Sequence, residues 1–155
     1  IYKNFLPTEG RGKMHIISRY NKKFRFIDES YNANPSSVKS AINSFNAINK
    51  EQFKKYLILG DMLELGRKSK KYHQDLSKVI NNSNIDKVFI KGEKTLSTYK
   101  NLHKSKQGNI LQNNDDIDLI LGNIINNKDY LMIKGSNATG LNILSKKMIK
   151  GQNVI

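Results

Sequence analysis

Cysteine is absent from all 155 residues, which excludes disulfides, thiolate metal sites and cysteine nucleophiles. It also fits a cytoplasmic protein. Only two prolines occur, and hydrophobic residues make up 37% against 26% charged, so the chain is neither disordered nor collagen-like. No apolar run approaches the ~20 residues of a helical membrane span. The chain opens on Ile1 with no signal-peptide pattern, and reads as a piece of a longer protein. Acidic residues are scarce: 13 Asp and Glu stand against 27 Lys and Arg, a net charge of +14. That balance raises nucleic acid as a partner. Two features weigh against it. Only four of the basic residues are Arg, the usual base reader (Arg11, Arg19, Arg25 and Arg67). The lysines are spread, with no block of five like charges. Joint richness in Lys, Asn and Ile points instead to codon bias toward A and T, and to a solvated Lys-rich surface.

What is present is an alternation of short β-like runs and longer helical stretches, in a length that suits one domain. Runs at 14–18 and 24–28, separated by RYNKK, predict a hairpin. Val38, Ile42, Phe45 and Ile48 predict a helix over 36–49, opened by Pro35. Further strands are predicted at 56–60, 87–92, 108–111 and 130–135. Helices are expected at 68–81, 94–102, 114–126 and 141–149. Repeated strand–helix alternation predicts an α/β fold: a Rossmann-like, mostly parallel sheet with helices on both faces and an antiparallel first pair. In such sheets ligands sit at the carboxyl ends of the strands. Residues 1–13 read as a linker and 14–155 as the domain.

Several familiar motifs fail. Gly12-Lys13 is followed by Met14, and Pro7 stands where a phosphate loop needs its first glycine. There is no GxGxxG and no HExxH, and the three histidines (His15, His73, His103) are far apart in sequence. No metal site is assigned. The acidic run at 113–118 lacks the glycine and final glutamate of a calcium loop, and suits a helix start.

Three segments exceed generic folding needs. In the first, 27–38, Asp28 and Glu29 end a strand and Tyr31, Asn32 and Asn34 crowd the turn before Pro35. Carboxylates at that position can accept from ribose hydroxyls, and an Asx-rich turn with a helix cap is the bland alternative. In the second, 57–66, Gly60 and Gly66 bracket a loop carrying Asp61 and Glu64. In the third, 132–140, Lys134, Gly135 and Ser136 lead into a helix start whose backbone amides can hold an anion.

In this order the segments resemble the C-terminal domain of the Mur ligases, in the D-alanyl-D-alanine-adding branch. The stretch Asp28 to Pro35 matches the family's D-[DE]-S-Y-N-A-N-P, and Leu59 to Gly66 matches L-G-D-M-x-E-L-G. Gly10-Arg11-Gly12, His73 and Lys134-Gly135-Ser136 match further family positions, so the likeness covers about residues 5–150. Many relatives carry Arg directly after Lys-Gly-Ser, where this chain has Asn137, which donates a hydrogen bond without the help of charge.

The resemblance implies an ATP-dependent amide ligase that joins D-Ala-D-Ala to UDP-N-acetylmuramoyl-tripeptide through an acyl phosphate, in bacterial cytoplasm. It implies Mg²⁺ held mainly by a central domain absent here, along with the phosphate loop. The isolated domain is therefore expected to be inactive, and the enzyme a monomer with no membrane span and no nucleic-acid partner. Arg11 would act as the catalytic cation at the hinge. Asp28, Glu29, Tyr31, Asn32 and Asn34 would bind ATP. Asp61, Glu64, His73, Lys134, Gly135, Ser136 and Asn137 would line the acceptor side. A basic Rossmann-like module binding nucleotides or nucleic acid is the alternative, and it has no need of the Tyr31–Pro35 turn.

Overall fold

The computed structural model describes residues 12–150 and 153–154. The first strands, β1 (Lys13–Arg19) and β2 (Lys22–Glu29), form the expected antiparallel hairpin. Its connection is tighter than RYNKK suggests. Tyr20 and Asn21 alone turn the chain, each at φ 58°, the left-handed pair that matches strand twist in a two-residue hairpin. Tyrosine rarely adopts that conformation. Here Asp118 accepts from the Tyr20 hydroxyl, and also from Arg19 at 3.1 Å. Asn21→Gly should therefore raise unfolding stability by about 0.5 kcal/mol. Urea denaturation checks this, and a loss would show that the Asn21 side chain holds the turn.

The remaining elements alternate. They are α1 (Pro35–Ala47), β3 (Lys55–Gly60), α2 (Ser69–Asn81), β4 (Lys87–Lys91), α3 (Leu96–Tyr99), β5 (Gln107–Leu111), α4 (Asn114–Ile124), β6 (Tyr130–Lys134), α5 (Leu141–Ile149) and β7 (Asn153–Val154). The sheet order is β5-β4-β3-β6-β2-β1-β7, parallel from β5 to β2 and antiparallel at β1 and β7. The helix expected at 94–102 shrinks to one turn, because few apolar residues there repeat at helical spacing. The two-residue β7 escaped the sequence pattern, and β1 begins at Lys13, inside the expected linker.

Two apolar layers flank the sheet. Alternate strand residues such as Ile27, Leu57, Val88 and Met132 meet α1, α2 and α3 on one face. Their neighbours Phe26, Ile58, Phe89 and Ile133 meet α4 and α5 on the other. β3 is buried along its whole length, as its central place requires. The chain travels from β2 through β3 and β4 to β5 using helices of the first face. It then reverses through α4 to β6, on the second face. Right-handed crossovers demand that change of face. β3 and β6 are thus adjacent strands whose following loops part to opposite sides, which is where such sheets open a crevice.

The far end of α1 is held by a buried cation. Lys55, fully buried, donates from Nζ to the Phe45 carbonyl (2.5 Å), the Ile48 carbonyl and Asn84 Oδ1 (2.9 Å). A lysine thus does the work of a C-cap. Burial pushes its pKa down to about 8.

Candidate functional site

At the crevice Glu29 of β2 stands in register with Lys134 of β6. Their charged groups are 3.5 Å apart, with the lysine side chain 4% exposed and the glutamate 20%. Lys134 Nζ also donates to the Asn32 carbonyl at 2.5 Å, so it holds the turn that follows β2. Burial raises the Glu29 pKa, and the nearby Lys134 partly offsets it. A half-buried carboxylate at the mouth of a cleft makes Glu29 a candidate functional residue. Glu29 opens onto a cavity of about 380 Å³ beside α1, lined by Met14, Ile27, Ser37, Ala41 and Ile48 among others.

The two carboxylates separate in role. Asp28 is buried, and its Oδ1 accepts from the Ser30 amide (3.1 Å) and hydroxyl (2.6 Å). It shapes the turn, whereas Glu29 faces the cleft. Tyr31 and Asn32 are exposed and form an open shelf beside it. Asn34 is taken up by the start of α1: its Oδ1 accepts from the Ser37 amide (2.9 Å) while the Ser37 hydroxyl accepts from the Asn34 amide (3.0 Å). The bland helix-cap reading holds for this residue.

The end of β3 packs against the segment after β6. A side chain at Gly60 would meet Leu141 at 2.8 Å, and one at Gly135 would meet Thr139 at 3.0 Å. Glycine at both positions lets α5 come down onto the strand ends. In the loop after β3, Asp61 accepts from the Thr95 amide at 2.9 Å, fixing the segment after β4. Glu64 is exposed, at φ 60°. His73, expected on the acceptor, is fully buried instead. Its Nε2 accepts from the Met62 amide (3.0 Å) and its Nδ1 donates to the Ser69 carbonyl (2.7 Å), so it pins this loop to α2. In the loop after β6, Asn137 is exposed, and the Ser136 hydroxyl is buried with no partner among the described residues. Arg11 lies outside the described residues.

The structure thus gathers Glu29, Tyr31, Asn32, Lys134 and the two loops at one edge. It withdraws Asp28, Asn34 and His73 into supporting positions. Lys91, at the end of β4, belongs to none of the motif segments yet reaches the same edge. Only its place before Gly92, at a strand end followed by a polar loop, could have signalled it.

An open, mostly parallel sheet with helices on both faces defines a Rossmann-like α/β domain. Residues 12–137 match the family model described as the Mur ligase, glutamate ligase domain, and the chain belongs to that family. The UDP-N-acetylmuramoyl-tripeptide–D-alanyl-D-alanine ligase of Buchnera aphidicola subsp. Baizongia pistaciae is 34% identical over 142 residues, covering 90% of this chain and 29% of its own length. The ligase of the same name from Rickettsia prowazekii is 31% identical, covering 86% of this chain and 28% of its own. The chain therefore spans under a third of these curated relatives. Among solved structures, the MurF ligase of Thermotoga maritima in complex with ADP superposes with a TM-score of 0.76 at 21% identity, over 94% of this chain and 32% of that one. MurF of Acinetobacter baumannii gives 0.74 at 24% identity, over 96% of this chain and 32% of that one. These likenesses establish the fold.

Proposed function

We propose that the chain is the C-terminal domain of an ATP-dependent ligase that joins D-Ala-D-Ala to UDP-N-acetylmuramoyl-tripeptide in the bacterial cytoplasm. The names of the relatives support the substrates. The observation that carries the reading is the Glu29–Lys134 pair, which ties the turn after β2 to the end of β6. One edge can then serve a nucleotide and an acceptor together.

Glu29 and the Tyr31–Asn32 shelf suit the ribose side of ATP, since a carboxylate at a strand end, open to a cleft, accepts from hydroxyls. ATP supplies the phosphoryl group that activates the tripeptide carboxylate. The loops at 60–66 and 135–140 hold the dipeptide so that its amine is aimed, a positioning task. Arg11, just before Gly12, brings a cation toward developing phosphate charge. The Mg²⁺ ligands and the phosphate loop are assigned to the rest of the ligase. No described helix is long and apolar enough to cross a membrane. The ligase is read as a monomer that binds no nucleic acid.

The test is phosphate release by the complete ligase. Release that requires ATP, the UDP-muramoyl-tripeptide and D-Ala-D-Ala together supports the reading. Release with a single amino acid in place of the dipeptide overturns it.

A pH dependence follows from Glu29. Because burial raises its pKa above the ordinary 4.5, the carboxylate neutralises earlier as pH falls. The neutral acid is a weaker acceptor for ribose hydroxyls. Nucleotide affinity, measured by calorimetry, should weaken on acidification before pH 4.5 is reached. Glu29→Gln should start weaker and show a flat profile there. An identical slope in both proteins would remove Glu29 from the nucleotide.

A further inference from the structure

A second cavity, of about 340 Å³, lies at the same edge between the ends of β4 and β5 and the turn before α5. Asp61, Leu63, Lys91, Leu111, Ala138 and Thr139 are among its walls. Lys91 stands level with Gly60 of β3. Its Nζ donates to Asn114 Oδ1 at 3.2 Å, a neutral amide, and no carboxylate pairs with it among the described residues. It also lies 3.4 Å from where a side chain at Gly140 would begin, against the bare backbone of the loop that holds Ser136 and Asn137. Burial lowers its pKa, as expected for an ammonium that lacks an opposite charge. The other charged wall, Asp61, is already engaged by the Thr95 amide.

We propose that Lys91 anchors the carboxylate of the acceptor dipeptide in this cavity, and so selects acceptors with a free C-terminal carboxylate. The proposal rests on the ligase reading and names a residue that reading did not contain. A ligand carboxylate relieves the uncompensated cation. Leu63, Leu111 and Ala138 offer apolar surface to two methyl side chains. Asn137 carries no charge to compete for the anion.

Strand spacing sets how far along the edge an anchored dipeptide extends. β4 and β6 are separated by one strand, about 10 Å at the usual strand spacing. An extended dipeptide spans roughly 7 Å. With its carboxylate at Lys91, its amine extends past the end of β3 toward the loop after β6, whose Ala138 and Thr139 line the same cavity.

The test compares Lys91→Met and Lys91→Arg in the complete ligase, using D-Ala-D-Ala and its C-terminal amide as acceptors. Lys91→Met should raise KM for the dipeptide between about tenfold and a hundredfold, the range for a charge-assisted hydrogen bond. It should leave KM for ATP within about twofold and leave the amide no worse than in the wild type. Lys91→Arg should recover most of the loss. An equal loss for acid and amide, or no change for either, overturns the proposal. Should the wild-type ligase not use the dipeptide at all, the ligase reading fails by itself, and acetate titration of the 155-residue chain decides the pocket. Saturable shifts of the Thr139 and Gly140 amides that vanish in Lys91→Met support a carboxylate site there. Equal shifts in both proteins remove it.

Discussion

Lys55→Ala should cost about 3–4 kcal/mol and lower the melting temperature by on the order of 10 °C. The substitution strands the carbonyls at the end of α1 that Lys55 Nζ satisfies, and it leaves a void where a fully buried side chain stood. Lys55→Met separates the two terms, since it keeps the aliphatic stem and loses only the donor. About half of the loss should remain in that variant. Chemical denaturation of both variants is the measurement. A loss under 1 kcal/mol in Lys55→Ala would mean that water replaces the ammonium freely, and that the cap has little worth. The wild-type pKa adds a direction. A lysine lowered to about 8 binds its proton less tightly folded than unfolded. Between pH 8 and the ordinary 10.5 the unfolded chain holds more protons, so this group's contribution to stability rises with pH there.

The second large effect belongs to Lys134. Lys134→Met removes the ion pair to Glu29 and the hydrogen bond to the Asn32 carbonyl. It leaves a half-buried carboxylate without its cation. The expected loss is about 2–3 kcal/mol at pH 7, below the full value for a buried pair because Glu29 keeps a fifth of its side chain in water. The loss should shrink as pH falls through the carboxylate range, because a protonated Glu29 needs no partner. Adding Glu29→Gln should restore part of the stability, since the stranded charge is then gone. In the complete ligase both Lys134→Met and the double variant should lose at least a hundredfold in kcat/KM, because each dismantles the site. A double variant no more stable than Lys134→Met alone would show that the two charges are not coupled.

The fold was legible because its signals are local and repetitive. The all-apolar stretch YLILG has the pattern of a buried parallel strand, and Pro35 with the serines behind it suits a helix start. The hairpin was legible as two runs, but its turn was not. Tyr20 in a left-handed conformation depends on Asp118, 98 residues away. The one-turn α3 and the short β7 carry too few residues for periodicity to show.

The site was legible as three segments and not as one place. Nothing local in the sequence says that Glu29 and Lys134 stand side by side. That follows from β6 inserting between β3 and β2. Nor does sequence separate Asp28 from Glu29. Alternation along β2 does, by sending one side chain to each face of the sheet. His73 and Asn34 sit in the matched segments, where their side chains accept from the backbone amides of Met62 and Ser37.

Gly12 ties the start of β1 to this edge. Its amide donates to the Asp28 carbonyl at 2.6 Å, and any β-carbon there would fall 2.5 Å from Glu29 Oε1. Its φ of 87° independently disfavours other residues. Positions 12 and 29 are therefore not free to drift separately. A larger residue at the first would push the carboxylate at the second aside, so a change at Gly12 reshapes that corner of the pocket without touching its contents.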